Sequence, residues 1–307
     1  MKTKSLVSGT AALALSALLF TACNNEDNPV PVISSEYVTI APTVTGEVIT
    51  KANASYGQSG DKLYLYYNTA GNNANNQSAD FRFNGGIWDL GTTKMKWDAL
   101  NTAAGENATL PFFATSPLQA PMAATNVETA QNVKENFINS DLLVAYKAVT
   151  KIADATTYSA IDLNLKHVLA KLTIEVNATA LDNPIINSVT LKGAITAYKV
   201  AYYASEDSPA TTTTDGSTTT EVTPWANGSI YTAILPAQLI QAGTGITVEI
   251  AADGQTFTYK PSKPISLIQG KNTTLKLRLA GNGVILGDVT VSDWGDGETA
   301  SGNVSAD

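Results

Sequence analysis

The chain has 307 residues, with 19 lysines and arginines against 27 aspartates and glutamates, and its formal net charge is -8. Affinity for nucleic acid comes from basic side chains on phosphates, so this acidic balance argues against a nucleic-acid partner. A single cysteine cannot close a disulfide within the chain, and a single histidine leaves little scope for acid–base catalysis. We therefore expect no enzyme activity, no catalytic residues, no metal and no cofactor.

The N-terminal segment resembles a bacterial lipoprotein signal. Two lysines precede an apolar run that ends at Phe20, which is shorter than the roughly 20 apolar residues of a membrane-spanning helix. The run closes in LFTAC, which is similar to a lipobox, where a peptidase cuts before a cysteine that carries acyl chains. We expect residues 1–22 to be a signal peptide and Cys23 to be lipidated, palmitate included, anchoring the precursor to the outer membrane at the cell surface. A buried cysteine in an N-terminal helix is the alternative.

Most of the remaining sequence predicts β-strands, because apolar and polar residues alternate between turn signals. Asp253-Gly254 and Asn282-Gly283 predict hairpin turns, and only about residues 127–137 indicate a short helix. Alternation with one polar face suits antiparallel sheets in two stacked layers, so we expect an all-β fold with two domains. The predicted strands are Lys62–Tyr67, Leu163–Val176, Val189–Tyr203, Ile230–Leu235, Thr247–Ile250, Thr256–Tyr259 and Thr273–Leu279.

Two stretches of low complexity interrupt these strands. Residues 71–79 read GNNANNQSA and residues 209–220 read PATTTTDGSTTT, so neither has apolar side chains of the kind that fill a core. Both stretches are predicted to be surface loops.

The run from Leu163 to Val176 changes its face partway along. Leu163, Leu165 and His167 share one parity, whereas the apolar residues from Leu172 onward share the other. One continuous strand cannot bury both sets on one face. The sequence predicts either a bulge near Ala170-Lys171 or a chain that passes between two packing environments. His167 is expected to point inward as a structural residue, and we place a domain boundary just before this run, near Tyr158.

Several stretches resemble the fimbrillin family of lipoprotein-derived type V pilins, the Mfa-like fimbrial subunits. In chain order they read KANASYGQSGDKLYLYY, DLLVAYKAV, LNLKHVLAKLTIEV, YTAILPAQ, ISLIQGKNTTLKLRL and VTVSDW, and together they span most of the mature chain. The resemblance implies two transthyretin-like antiparallel β-sandwich domains in tandem, here residues 52–158 and 159–307. It also implies assembly with other copies or with related subunits into a surface fimbrium (pilus) that supports adhesion.

The resemblance further implies proteolytic processing. In fimbrillins a trypsin-like protease cuts at a basic residue beyond the lipid anchor, and Lys51, followed by Ala52, is the first basic residue after Lys4. Residues 23–51 would then be a propeptide, and its stretch EYVTIAPTVTGEVIT is predicted to be a strand of the first sandwich. Cleavage would bare sheet edges that accept a strand from a neighbour.

The C-terminal stretch GVILGDVTVSDWGDG is the predicted donor of that strand. Ile285, Val289 and Val291 share one parity and are expected to fill successive pockets. The alternative is that Val289–Trp294 is the last strand of its own domain, which leaves only a polar tail.

Two other functions remain open at this stage. An outer-membrane glycan-binding lipoprotein would use tryptophans as stacking platforms, although buried core is the commoner place for a tryptophan in a sandwich. A hydrolase would need a carboxylate pair that nothing in the sequence selects. The acidic run 293–298 lacks the ligand spacing of a calcium-binding EF-hand. The candidate stacking residues are Trp88, Trp97, Trp225 and Trp294.

Overall fold

The computed structural model describes residues 36–44, 60–67, 77–84, 86–100, 108–119, 124–151, 158–181, 184–281, 283–294 and 302–303, and the description below is confined to them. Strands make up most of their regular structure, with one short helix and one 3-10 turn besides, so the predicted all-β fold is confirmed. The elements up to residue 167 are β1 (Ile40–Val44), β2 (Lys62–Tyr67), β3 (Gln77–Asn84), β4 (Ile87–Leu90), β5 (Ala108–Ser116), β6 (Thr125–Asn126), helix α1 (Lys134–Ser140), β7 (Leu143–Lys151) and β8 (Ile161–His167).

Seven of these strands form one sheet, which we call the first sheet, in the order β1-β8-β7-β5-β2-β3-β4. Its neighbours run antiparallel except β1 and β8, which are parallel. In β2 the sequence KLYLYY alternates, so Leu63 and Leu65 point to one side and are fully buried. They pack with Phe81 of β3 and Phe112 of β5 in a hydrophobic core, the first core.

The rest of the chain forms a sandwich around a second core. Its elements are β9 (Ala170–Asn177), a 3-10 turn (Thr179–Leu181), β10 (Ile186–Ile195), β11 (Ala197–Tyr202), β12 (Ala210–Thr214), β13 (Thr219–Val222), β14 (Trp225–Asn227), β15 (Ile230–Leu235), β16 (Gln238–Ile240), β17 (Thr247–Ala252), β18 (Gln255–Tyr259), β19 (Ile265–Leu267), β20 (Lys271–Ala280), β21 (Gly283–Asp293) and β22 (Gly302–Asn303).

Two sheets enclose the second core. The larger has the order β14-β15-β9-β20-β21-β22, with β9 and β20 parallel at its centre, and the smaller has the order β13-β10-β17-β18. Buried residues of both sheets meet in the core, among them Leu172 and Leu275 from the larger and Leu191 and Ile250 from the smaller. Strands β12-β11-β6 and β16-β19 form two further small sheets.

Strand β7 and the residue before it contribute to both cores. Leu143 and Ala145 belong to the first core, whereas Leu142 and Val144 belong to the second. Successive side chains of a strand point to opposite faces, so one extended segment serves two hydrophobic clusters. The two cores are therefore joined by a shared strand.

The change of parity between Leu163 and Val176 marks a passage between sheets. Strand β8 ends at His167 in the first sheet, and β9 begins at Ala170 in the larger sheet of the second sandwich. The second of the two predicted explanations is thus confirmed. The change of core falls between Leu165 and Val168, because β8 completes the first sheet.

Residues 210–214 and 219–222 correct the prediction that 209–220 is a loop, since they form β12 and β13. Threonine is β-branched and favours strands, and Thr212 is buried with its hydroxyl donating to the carbonyl oxygen of Val168 at 2.7 Å. Likewise β3 begins at Gln77, inside the stretch predicted as a loop. The predicted hairpin turn at Asp253-Gly254 is confirmed, because these residues have φ values of 45° and 76°.

The helix is shorter and later than the sequence predicted. It covers Lys134–Ser140, whereas the expected span was about 127–137. Val127 directly follows β6, is buried in the second core and lies outside the helix.

Candidate functional site

Strand β1 lies at one end of the first sheet, where it pairs in parallel with β8. The register places Ile40 beside Ile161 and Val44 beside Leu165. Just before the strand, the amide of Ile161 donates to the carbonyl oxygen of Thr39 at 2.9 Å. The segment EYVTIAPTV thus ends in a strand of the first sheet, β1, in the first sandwich where the sequence predicted the propeptide strand to pair.

One face of this segment is apolar and buried. Buried residues alternate with partly or fully exposed ones, so every second side chain enters the first core while the others face solvent. Burying a valine or isoleucine side chain contributes about 1.5–3 kcal/mol, so the segment is held largely by these contacts. Its removal would leave a groove with successive apolar pockets. The buried residues are Val38, Ile40, Pro42 and Val44.

The N-terminal end of the same segment pairs with a different part of the chain. The amide of Val38 donates to the carbonyl oxygen of Met95 at 2.8 Å, and the amide of Trp97 donates to the carbonyl oxygen of Glu36 at 3.2 Å. The partner residues follow β4, the strand at the opposite end of the first sheet. Residues 36–44 therefore connect the two ends of the sheet and close it around the first core.

Two lysines contact the start of this segment. Lys96 lies opposite Tyr37 in an antiparallel bridge and forms an ion pair with Glu36. The ammonium groups of Lys94 and Lys96 lie 5.4 and 5.3 Å from the centre of the Tyr37 ring, within the range of cation–π attraction. The hydrogen bond and charge of Glu36 raise the pKa of Lys96 above its ordinary value. No sequence pattern indicated this contact, because its partners are about 60 residues apart.

The C-terminal donor candidates lie in β21, which pairs with β20 over its whole length. The register shifts at Gly287, where a Cβ would meet the carbonyl oxygen of Lys276 at 3.2 Å. This bulge reverses the parity, so Ile285 is 46% exposed whereas Val289 packs against the second core. Within this subunit Ile285 and Val289 therefore lie on different faces of β21, and a donor role for Ile285, Val289 and Val291 stays a prediction. In this structure β21 is a strand of its own sandwich.

Cys23, Lys51 and Ala52 lie outside the described residues, and so does most of the acidic run 293–298. No helix in the described part of the chain is both long and apolar enough to cross a membrane. The described residues also contain no group of three or more histidine, cysteine, aspartate or glutamate side chains that could hold a metal ion.

His167 occupies the junction of the two cores and is buried, as the sequence predicted. Its Nδ1 lies 2.8 Å from Asp141 Oδ1, and its ring stacks on Trp294 with centres 4.0 Å apart. Its Nε2 is buried without a hydrogen-bond partner. A cleft of about 510 Å³ lies beside it, but the charged groups at its rim pair as Lys166 with Asp207 and Lys271 with Asp293.

The four tryptophans do not form a set of open stacking platforms. Trp97 and Trp294 are buried, and Trp97 stacks on Tyr158 with ring centres 4.2 Å apart. Trp88 and Trp225 are partly exposed. Burial of two of the four corrects the stacking set expected for a glycan binder. Burial also raises the pKa of Tyr198 and Tyr202 above that of an exposed phenol.

Comparison with known proteins identifies the family. Residues 50–294 match the model of the fimbrillin-like family. A protein from Bacteroides uniformis ATCC 8492 assigned to cell adhesion is 18% identical, with 85% of this chain and 100% of that chain covered and a TM-score of 0.60. A cell adhesion relative from Bacteroides ovatus ATCC 8483 is 15% identical, with coverage of 84% and 97% and a TM-score of 0.61.

The tip fimbrial protein Mfa3 from Porphyromonas gingivalis, with a C-terminal truncation, is 10% identical over 78% of this chain and 96% of its own, with a TM-score of 0.48. Curated protein sequences gave no match. The two Bacteroides structures with TM-scores of 0.60 and 0.61 show the shared fold, and the family model covers most of the sequence. This chain therefore belongs to the fimbrillin-like family.

Proposed function

We propose that this protein is a subunit of a cell-surface fimbrium and that it accepts a strand from another subunit after β1 has been removed. The observation that supports this proposal is the position of β1 at the edge of the first sheet, with one face buried in the first core. β1 is an edge strand with an apolar face and pairs, among the described strands, with β8 alone, so its removal would not break a ladder inside the sheet. What it would leave behind is an open sheet edge beside apolar pockets, which is a template for strand addition.

The precursor would be held at the outer membrane by acyl chains on Cys23, each buried CH₂ group contributing about 0.8 kcal/mol. A trypsin-like protease would then cut after Lys51, and residues 23–51 would depart with β1. The start of the family match at residue 50 supports a boundary at this point, because β1 precedes it. The surface location and adhesive role follow from this assembly.

We propose that the incoming strand comes from a related subunit while β21 stays in place. For β21 to serve as donor, it would have to give up its ladder with β20 and withdraw Val284, Leu286 and Val289 from the second core. Unpaired backbone groups and newly exposed apolar surface would make that release costly.

Limited proteolysis tests the proposal. Purified protein that begins at residue 24 should remain monomeric, and trypsin should produce a fragment beginning at Ala52 that associates with other fimbrial subunits. Lys51→Gln should block both the cut and the association, whereas Lys260→Gln, at an exposed lysine of the second sandwich, should block neither. N-terminal sequencing and size-exclusion chromatography give the readouts. Assembled material that retains residues 36–44 would contradict the proposal.

A further inference from the structure

We infer that Lys94 and Lys96 select the strand that replaces β1. The strand is an extended segment of a related subunit in which a carboxylate residue directly precedes an aromatic residue, with apolar residues following at every second position. This inference rests on the proposed function, since it names the chemistry that the emptied groove recognises. We call the two lysines the lysine clamp.

The present occupant shows what the clamp binds. Glu36 supplies a carboxylate to Lys96, and Tyr37 supplies a ring to both ammonium groups at 5.4 and 5.3 Å. Removing residues 36–44 takes away the anion and the ring together. Lys94 is exposed and the Lys96 side chain is 43% exposed, so both can receive a new partner from solvent. Charge complementarity then favours a segment that restores the same pair of groups.

The position of the clamp makes it a device for setting register. It contacts residues 36 and 37, and the first apolar pocket, that of Val38, comes directly after them. Because the side-chain period of a strand is two, a slip of one residue would turn every apolar side chain of the incoming strand out of its pocket. A segment anchored at the clamp by its acidic and aromatic residues cannot slip in this way.

Outside residues 36–44, this sequence offers no second segment that meets the requirement. Apart from Glu36-Tyr37, the sequence has an acidic residue directly before an aromatic one only at Asp80-Phe81 and Asp293-Trp294. Phe81 is followed by Arg82, and Trp294 by a glycine-rich polar stretch, so neither pair precedes an alternating apolar run. Both pairs also belong to, or directly follow, paired strands of their own domain. We therefore take the segment to come from a different subunit.

A peptide-binding experiment tests the clamp. Protein cut after Lys51 and separated from the released fragment is titrated with a fluorescent peptide of residues 36–44. We expect the double variant Lys94→Gln and Lys96→Gln to bind this peptide about tenfold more weakly. A peptide with Glu36→Gln and Tyr37→Leu should lose about the same factor. Combining the altered peptide with the altered protein should add little further loss, because both changes remove one interaction.

Matched controls separate the clamp from general effects of charge. Lys260→Gln in the protein and Thr43→Ala in the peptide change an exposed residue each and should leave binding within about twofold. A third peptide, residues 284–294, represents a second copy and should bind at least about tenfold more weakly than residues 36–44.

Each outcome decides between the two proposals. If the cut protein does not bind residues 36–44 at all, the replaceable groove is wrong, and the proposed function fails together with the clamp. If it binds this peptide but ignores all the lysine and acid–aromatic changes, the groove stands and the clamp is overturned. If residues 284–294 bind as tightly as residues 36–44, the source is a second copy and not a related subunit.

Discussion

The ring of His167 touches three parts of the chain that are distant in sequence. It lies at the end of β8, is hydrogen-bonded through Nδ1 to the carboxylate oxygen Oδ1 of Asp141, and stacks on Trp294, which directly follows β21. The side chains of the histidine and the aspartate are only 3% and 8% exposed. A buried carboxylate needs a partner, because an unsatisfied one costs more free energy than its hydrogen bond contributes. Loss of His167 should therefore destabilise the protein mainly because it leaves the buried Asp141 carboxylate without a hydrogen-bond partner.

Replacing His167 tests this asymmetry. His167→Phe keeps a ring against Trp294 but leaves Asp141 without its partner, so we expect the free energy of unfolding to fall by about 2–3 kcal/mol. Adding Asp141→Leu removes the stranded carboxylate and should recover part of that loss. Urea unfolding of the two variants gives the comparison. A double variant less stable than His167→Phe would show that the carboxylate was not the cause.

At the scale of single elements, β1 shows how an edge strand can be both secure and removable. The backbone groups of a strand point alternately to its two edges, and Thr39 bonds towards β8. Pro42, three residues later, therefore directs its backbone away from β8, towards the unpaired edge, and it has no N–H group to expose there. This blunts the free edge while β1 is in place. The strand is held by hydrogen bonds to β8 at one edge and by the apolar side chains that one of its faces buries in the first core.

Substitutions in β1 should therefore separate by parity. Ile40→Ala removes a side chain buried in the first core and should lower the free energy of unfolding by about 2–5 kcal/mol, and it should speed amide exchange in β8. Thr43→Ala changes an exposed residue of the same strand and should stay within about 0.5 kcal/mol. Hydrogen exchange with mass spectrometry reads both effects. Equal losses in the two variants would mean that β1 is not seated by its apolar face.

In the turn between β17 and β18, Gly254 allows the cost of a positive φ to be measured separately from any steric clash. Gly254 has φ of 76° and open space where a Cβ would stand, so a side chain there would be strained without any clash. Gly254→Ala should lower the free energy of unfolding by about 1–2 kcal/mol. Gly283→Ala is the control, because Gly283 also faces open space and its φ lies outside the left-handed region. Thermal unfolding should show a lower Tm for the first variant alone.

The local sequence pattern predicted many strands correctly. It failed where the structure depends on contacts between residues that are far apart in the sequence. Strands Lys62–Tyr67 and Ile230–Leu235 match the prediction residue for residue, because both runs are rich in β-branched, aromatic and other apolar residues that largely alternate. The prediction that residues 209–220 form a loop was wrong. Their composition resembles that of a loop, but threonine is β-branched and favours a strand where β11 offers an edge to pair with. The contacts of Lys96 with residues 36 and 37 depend on how the first sheet closes, and no local pattern carries that information.

Parity indicates which face a side chain occupies only where the register along the strand is unbroken. The reversal after Leu169 correctly indicated that the chain changes its packing environment, and β8 and β9 lie in different sheets. The shared parity of Ile285 and Val289 suggested one face, but the bulge at Gly287 places the two on different faces. A bulge adds one residue without a signature that the sequence alone makes plain.

At the scale of the whole molecule, the two cores share a wall. Leu142 and Leu143 are adjacent and fully or almost fully buried, yet the first packs in the second core and the second in the first core. Neither cluster could lose this segment without exposing apolar surface of the other. Strand β8 adds to the connection, because its last residue stacks against the end of β21. We therefore expect the two cores to unfold together.

The adjacent leucines provide a matched test of that expectation. Leu142→Ala removes volume from the second core and Leu143→Ala from the first, so each should lower the free energy of unfolding by about 2–5 kcal/mol. If the shared segment couples the cores, either substitution should shift the loss of amide protection in β2 and in β9 to the same lower urea concentration, although each strand belongs to only one core. Hydrogen exchange on peptides from the two strands reports each core separately. Protection lost in β9 but retained in β2 after Leu142→Ala would mean that the second sandwich unfolds independently, and the shared wall would then join the cores without coupling them.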